Sequence, residues 1–504
     1  MKKIISALSM VSLMTLSSCN DWLEVEPKSE IKMDIMFETE QGVKDALIGN
    51  YIQLSERSLY GETLTCTFLD VLAQQYTLLG STSSSFERAT HYIYSSYEST
   101  IHSIWLRMYN TIANVNALME GLESNRNNMH ATIYAMTKAE AYSLRAFMYF
   151  DLVRLFTWGN LPERSDKLEA LSIPYPKVYD KHIVPQEKLG DVLKFIREDL
   201  ETALELFYSY DPLSREGNRP DGYVLPNDDK FYDGEKTKYR MNLKAALALR
   251  MRLNMWEGKY EDAMKDAKKL IEDYRPYWTN NMDGEKIKRD LTFSTEMLFG
   301  VETHNRFENT TKRYFKLTDA DDRNMNYQAL YLSSSRLEDL FEIKAGFGAA
   351  DWRYVHLWDK SGKNNCFLKF WEWEDMEYTN NMPLIKWPEV YYTVAECALR
   401  LGGEDNKNEA IDHLNYVRNR RNIPSSFNLP HDLKEEDVWK ELKKEWRKEF
   451  IGDGQLFYYY KRTGAESIPN GPAMTYDDKV YVLPLPQEEI DTGNREQLVD
   501  RETK

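Results

Sequence analysis

Apolar residues recur at steps of three and four along most of the chain, and that spacing predicts helices. In Thr137–Trp158 the stripe is Ala139, Tyr142, Ala146, Tyr149, Val153 and Phe156. Leu144, Phe147, Phe150 and Leu152 flank it, so this helix should be buried on several sides. Gly159 and Pro162 supply its stop. Trp105–Leu122 carries the same spacing and reads as its antiparallel partner. Helical patterning returns in Gln186–Phe207, Leu243–Tyr274, 386–421 and 435–451. Residues 208–240, rich in Asp, Gly and Pro, read as a long loop. The segment 275–385 lacks long periodic runs and holds short strand-like pieces such as Met297–Val301.

Two helical stretches look alike. Leu243–Ile271 has Ala245 and Ala248, then Gly258, Tyr260 and Ala263; residues 389–417 have Ala395 and Ala398, then Gly402 and Ala410. Small residues let antiparallel helices approach closely, and a Gly ends the first of each pair. This resembles a degenerate tetratricopeptide pattern, with generic helix packing as the alternative.

The N-terminus has a different pattern. Met1-Lys2-Lys3 is followed by an apolar run, Ile4–Leu16, too short to span a bilayer. Leu16-Ser17-Ser18-Cys19 then leads into polar sequence and resembles a bacterial lipobox. Residues 1–18 read as a signal peptide, Cys19 as the acylation site and 19–36 as a tether. Three cysteines remain, Cys66, Cys366 and Cys397, which allow at most one internal bridge. Cys397 reads as a small core residue.

Charge narrows the ligand class. Lys+Arg 65 against Asp+Glu 81 gives −16, which argues against a nucleic-acid binder and favours neutral or cationic ligands over polyanions.

A family resemblance runs across the mature chain. Cys19-Asn20-Asp21-Trp22-Leu23 through Pro27, Trp105-x₃-Tyr109-x₂-Ile112-x-Asn114 and Ala139–Phe150 resemble segments of the SusD/RagB family of Bacteroidetes outer-membrane lipoproteins. Pro383–Tyr391, Leu414–Arg420, Glu445-x₃-Glu449-Phe450 with Asp453-Gly454, and Val482–Ile490 follow in the family's order. Lys386 and Gln455-Leu456 stand where that family usually carries Arg.

The resemblance implies a mainly α fold. Its tetratricopeptide-like helix pairs would form an N-terminal region over 37–274 and a C-terminal region over 386–504, around an irregular ligand-binding region over 275–385. It also implies a surface-exposed, lipid-anchored protein of the outer membrane. Such a protein captures an oligosaccharide, or in some members a peptide, for a SusC-type TonB-dependent transporter. The resemblance gives Val482–Ile490 as a closing strand.

Catalytic patterns are scarce. The eight histidines never pair at i, i+4, and no P-loop or GxSxG occurs. Asp319-x-Asp321-Asp322 lacks the turn Gly and terminal Glu of a calcium loop and reads as a solvated acidic loop. Glu445, Glu449 and Asp453 share a helix face, but Lys443, Lys444, Arg447 and Lys448 surround them. Arg418, Arg420 and Arg421 are available as partners, so a structural charge network is favoured over a glycosidase pair. No metal or cofactor is expected. A surface glycoside hydrolase or peptidase, and a periplasm-facing repeat adaptor, remain as other readings.

Sugar recognition needs flat apolar faces together with polar groups for hydroxyls. Aromatics on loops are therefore the informative ones. Ser81–Thr100 reads as a Ser/Thr-rich loop with Phe86, Arg88, Tyr92, Tyr94 and Tyr97. The alternation of Tyr92 and Tyr94 leaves a half-buried strand open. Asn305, Arg306, Phe307, Tyr314 and Phe315 lie in a second polar loop. The candidate ligand contacts are Arg88, Tyr92, Tyr94, Tyr97, Asn305, Phe307 and Tyr314. The two loops, 81–100 and 303–316, are expected to converge. Trp278 and the Trp371–Trp373 pair are the reserve, with Tyr277-Trp278 expected to pack at a helix end and one of the paired tryptophans exposed.

Overall fold

The computed structural model describes residues 33–78, 85–216, 219–221, 223–224, 230–232, 239–279, 287–315, 329–362, 364–373, 376 and 379–501. The signal peptide, Cys19, most of the tether and the Asp319–Asp322 loop lie outside the described residues.

Among the described residues, with shorter helical pieces between them, the helices that build the scaffold and the site are labelled α1 to α12. They are α1 (Glu40–Leu54), α2 (Phe68–Leu72), α3 (Ser85–Thr90), α4 (Glu98–Ser124), α5 (Ala131–Phe156), α6 (Leu189–Tyr210), α7 (Leu243–Glu257), α8 (Tyr260–Asp273), α9 (Trp387–Leu401), α10 (Glu404–Arg420), α11 (Glu435–Glu449) and α12 (Gln455–Arg462). Neighbours pack in succession: α4 on α5, α5 on α6, α6 on α7, α7 on α8, α8 on α9 and α9 on α10. This is the expected helix-pair scaffold. The helical stretch over Leu243–Tyr274 is a pair, α7 and α8, split at Gly258 as the repeat-like pattern expects. That residue adopts φ +76°, a left-handed conformation that a side chain disfavours.

Helix α5 is buried almost all round, as its double-sided apolar pattern predicts. Trp105 of α4 meets Phe156 edge-on at 4.9 Å, and Tyr149 of α5 stacks on Tyr175 at 3.7 Å. Such pairs add about 0.5–1.5 kcal/mol beyond their area burial. Helix α4 begins seven residues earlier than its apolar spacing marked, at Glu98, and α1 was not marked at all. The apolar residues of α1 are interrupted by Lys44 and Asn50, both of which it buries.

The strands are short. Thr77–Leu78 (β1), Leu330–Ser333 (β5), Trp358–Asp359 (β6) and Asn364–Phe367 (β7) form an antiparallel sheet in the order β1-β5-β7-β6. Leu171–Pro174 (β2) pairs with Gln186–Lys188 (β3), and Met297–Glu302 (β4) with Asn381–Lys386 (β8). The first residues of the stretch read as a helix from Gln186 therefore belong to a strand. The expected closing strand does not form either: a helical turn, Asp478–Tyr481, gives way to irregular chain through Pro486. Pro484 and Pro486 have no N–H to give to a ladder.

Candidate functional site

The segment 303–315 joins two others. On one side Phe86 of α3 meets Tyr314, with ring centroids 5.6 Å apart. On the other, Trp371 Nε1 donates to the Phe315 carbonyl at 2.8 Å, and Trp373 lies 6.3 Å from Trp371, centroid to centroid. Buried Arg306 pins this arrangement. Its Nη2 is 3.1 Å from Glu372 Oε1, and the guanidinium stands over Phe370. Thr310 Oγ1 donates to Glu62 Oε2 at 2.8 Å, an oxygen that also takes Arg57 Nε at 2.7 Å. The two regions expected to converge do touch, and the tryptophan pair is continuous with them.

Within this face Arg88, Asn305 and Trp373 are exposed, Trp373 to 46%. Arg88 Nη1 donates to Ser96 Oγ at 3.1 Å. Asn305 sits at φ +50°, a left-handed conformation that Asn tolerates better than most residues. Tyr314 is buried, which with nearby Glu62 pushes its hydroxyl up to about 12. The Phe307 side chain lies outside the described residues. The Asn305 carboxamide contacts the His304 ring at 2.8 Å. An exposed indole can stack on a sugar ring, and exposed guanidinium and carboxamide groups can hydrogen-bond its hydroxyls.

The tyrosines at 92, 94 and 97 need correcting. Their segment is not a loop. It is α3, a turn, and a 3₁₀ helix over Tyr94–Tyr97 that runs into α4. All three rings are buried, at 7%, 4% and 6% exposure. Tyr92 Oη donates to the Leu72 carbonyl at 3.0 Å and accepts from Gln74 Nε2 at 3.2 Å. Tyr94 Oη donates to the Val480 carbonyl, and Tyr97 stacks on Phe68 at 4.8 Å. Burial raises all three hydroxyls above the ordinary tyrosine value. The partners come from α2 and from a segment hundreds of residues away, so the local pattern could not reveal them. Trp278 is likewise buried, packed on Tyr391 and Tyr416, while Tyr277 is exposed.

Glu445 and Glu449 of α11 and Asp453 beyond it are buried and paired. Glu445 Oε2 is 2.9 Å from Arg353 Nη2, and Glu449 Oε1 is 2.9 Å from Arg421 Nη2 and 3.1 Å from Lys386 Nζ. Asp453 lies 2.6 Å from Lys386 and 2.5 Å from Lys369. Burial alone would raise Glu445 and Glu449; Arg353, Lys448 and Arg418 for the first, and Arg421 and Lys386 for the second, hold them well below the usual carboxylate range. Groups locked this way have no open face for a sugar. Lys386 fills its place as a cation in this network. Gln455 Oε1 accepts from Arg154 Nη1 at 3.0 Å, so a guanidinium reaches that position from α5.

Cys66, Cys366 and Cys397 are all buried and unbridged. Among the described residues, no group of three or more His, Cys, Asp or Glu gathers to hold a metal ion. A cleft of about 880 Å³ lies between residues 91–102 and 474–501, lined among others by His91, Ile93, His102, Met474, Lys479 and Glu488. Tyr92 and Tyr94, two of the residues picked from the sequence, also line it. Its other wall, from 474–501, comes from a distant part of the chain that local patterning does not connect.

Comparison with known proteins gives this geometry a context. A family model described as starch-binding and associating with the outer membrane matches residues 21–212. The SusD family model matches residues 228–497. SusD-like protein P2 of Formosa agariphila is 22% identical over 526 residues, covering 95% of this chain and 96% of that protein. SusD-like protein P38 of the same organism is 22% identical over 535 residues, covering 95% of each chain. A SusD superfamily structure from Bacteroides thetaiotaomicron superposes with TM-score 0.68 at 21% identity, covering 92% of this chain and 100% of that one. A SusD-like carbohydrate binding protein from Bacteroides vulgatus gives 0.67 at 18% identity, covering 90% and 97%. With helix pairs, short sheets and the C-terminal charge network all falling within matched segments, the chain belongs to the SusD family.

Proposed function

We propose that this protein captures an oligosaccharide on the face formed by α3, residues 303–315 and residues 371–373. It then passes the ligand to a SusC-type TonB-dependent transporter. The observation that carries the reading is the exposed Trp373 indole next to Glu372, which Arg306 ties to the segment that carries exposed Asn305. The family's starch-binding description and the carbohydrate-binding neighbour point to the same ligand class. A net charge of −16 suits a neutral glycan better than a polyanion. The locked α11 carboxylates favour binding without hydrolysis. The protein is held at the outer membrane through acylated Cys19.

Titration calorimetry of the mature protein against neutral oligosaccharides tests the reading. Stacking and a few hydrogen bonds on an open face give dissociation constants of about 10 μM to 1 mM. Peptide binding without glycan binding, or release of shortened glycan, refutes it. Cys19→Ala should leave unprocessed precursor and abolish lipid labelling; labelling that persists removes the anchor from the scheme.

A further inference from the structure

A second concave surface lies around Trp278. The chain leaving α8 brings this ring against Tyr391 of α9 and Tyr416 of α10, whose own rings lie nearly parallel with centroids 4.7 Å apart. Ile271, Tyr274 and Pro276 complete the apolar side of a cleft of about 550 Å³, a size that takes a small ring ligand. None of its lining residues belongs to the Trp373 face.

The polar side of the cleft is rich in donors. Arg420 stands over the Tyr416 ring at 4.9 Å, with Nη2 3.5 Å from the Tyr416 hydroxyl, and meets no carboxylate among the described residues. Exposed Arg275 meets none either. Asp412 also lines the cleft, but its Oδ1 lies 2.8 Å from His431 Nε2. Glu409, 3.9 Å from His413, is held by Lys268 at 2.6 Å. Burial keeps the His413 imidazole below its usual value, so at pH 7 it can both give and accept a hydrogen bond. The Trp278 Nε1–H is buried without a partner among the described residues. The fold itself therefore supplies no carboxylate for the two guanidiniums and no acceptor for the indole. A guanidinium takes a carboxylate in a two-pronged fork, and apolar walls suit the C–H faces of a pyranose.

We propose that this cleft is a second glycan site, selective for a sugar residue that carries a carboxylate. The carboxylate would lie between Arg275 and Arg420, the sugar ring against the half-buried Tyr416 and Pro276 side chains, and a hydroxyl at His413. One acidic residue in an otherwise neutral chain leaves the ligand far from a polyanion, in keeping with the net charge of −16. The inference rests on the reading of the ligand as a glycan, but it uses no residue of the Trp373 face.

Methyl glucuronide and methyl glucoside differ only in a carboxylate for a hydroxymethyl group. Each is titrated against the mature protein and followed by saturation-transfer NMR. The glucuronide should bind about tenfold more tightly than the glucoside. Arg275→Gln/Arg420→Gln should erase that difference while the melting temperature and the affinity for neutral oligosaccharides stay unchanged, and Trp373→Ala should leave it intact. Equal affinity for the two glycosides overturns the proposal. So does a preference that survives the double arginine variant or disappears with Trp373→Ala. Acetate, or an acetylated peptide with a free C-terminus, that competes as well as the glucuronide also overturns it, because the cleft then reads a carboxylate without the sugar. A glucuronide preference that is lost only in the arginine variant, while neutral oligosaccharides fail to bind, supports this site and refutes the Trp373 reading alone.

Discussion

The α11 charge network and the Trp373 face are opposites in how they use polar groups. In the first, Glu445, Glu449, Asp453, Arg353, Arg421, Lys369 and Lys386 are dry and paired with one another. In the second, Arg88, Asn305 and the Trp373 indole are exposed. Buried charge fixes a conformation, because losing one partner leaves the other uncompensated. Exposed polar groups beside an aromatic face leave hydrogen-bonding capacity for a ligand. The most motif-rich part of the sequence is scaffold, and the candidate site lies where periodic pattern is weakest.

The sharpest break of this contrast is Glu449→Ala. It takes a carboxylate from both Arg421, which keeps Glu296, and Lys386, which keeps Asp453, and should cost about 3–5 kcal/mol, read as a fall in the urea midpoint. An unchanged midpoint would mean the network contributes nothing to stability.

Tyr92→Ala, Tyr94→Ala and Tyr97→Ala should each cost about 3–5 kcal/mol by melting, with glycan affinity retained in whatever fraction stays folded. Lost affinity at unchanged melting temperature would return these rings to the binding face.

A pH series sharpens the buried side. Burial pushes the Asp70 carboxyl up to about 7, against the lowering pull of the Gly452 amide. In the unfolded chain it titrates near 3.9. Between about pH 4 and 7 the folded protein keeps a proton that the unfolded chain has released. This group's effect on stability therefore declines as pH rises through that window, by up to about 1.4 kcal/mol per pH unit, and is flat above it. Glu445 and Glu449 act in the other direction. Their stabilisation is present above the unfolded carboxylate range and is lost only on acidification well below it. Asp70→Asn should flatten the slope between pH 4 and 7 in urea titrations, and an unaltered slope would point to another group.

The smallest effects belong to the exposed side. Trp373→Ala should weaken glycan binding about tenfold, roughly 1.4 kcal/mol, and Arg88→Ala about threefold. Neither should move the melting temperature by more than a degree or two. A collapsed melting curve for Trp373→Ala would make the indole structural.

The scaffold was legible because helix pairs are local. The stripe from Ala139 to Phe156 and the split at Gly258 are decided within one or two helices. The convergence of 81–100 with 303–316 was also legible, on the ground that helix pairs do not need such long aromatic connections. Which rings face water was not. Tyr94 is buried by the Val480 carbonyl, and Tyr97 by Phe68 across a chain reversal. The alternation of Trp371 and Trp373 did point to one exposed ring, and it is Trp373. Burial at such positions is set by long-range packing, which periodicity does not encode.

The bonds that close the fold have a kinetic consequence. Arg154 to Gln455, Asp70 to Gly454 and Tyr94 to Val480 join residues more than 300 positions apart. Loop-closure entropy for such contacts must be met before any of them forms, which makes folding slow. The N-terminal helices can pair early, but Asp70 and the tyrosines after α3 stay unsatisfied until the last fifty or so residues arrive. The growing chain is therefore sticky for most of its synthesis, and a truncation before α12 should accumulate as a collapsed, aggregation-prone intermediate rather than as a smaller native protein.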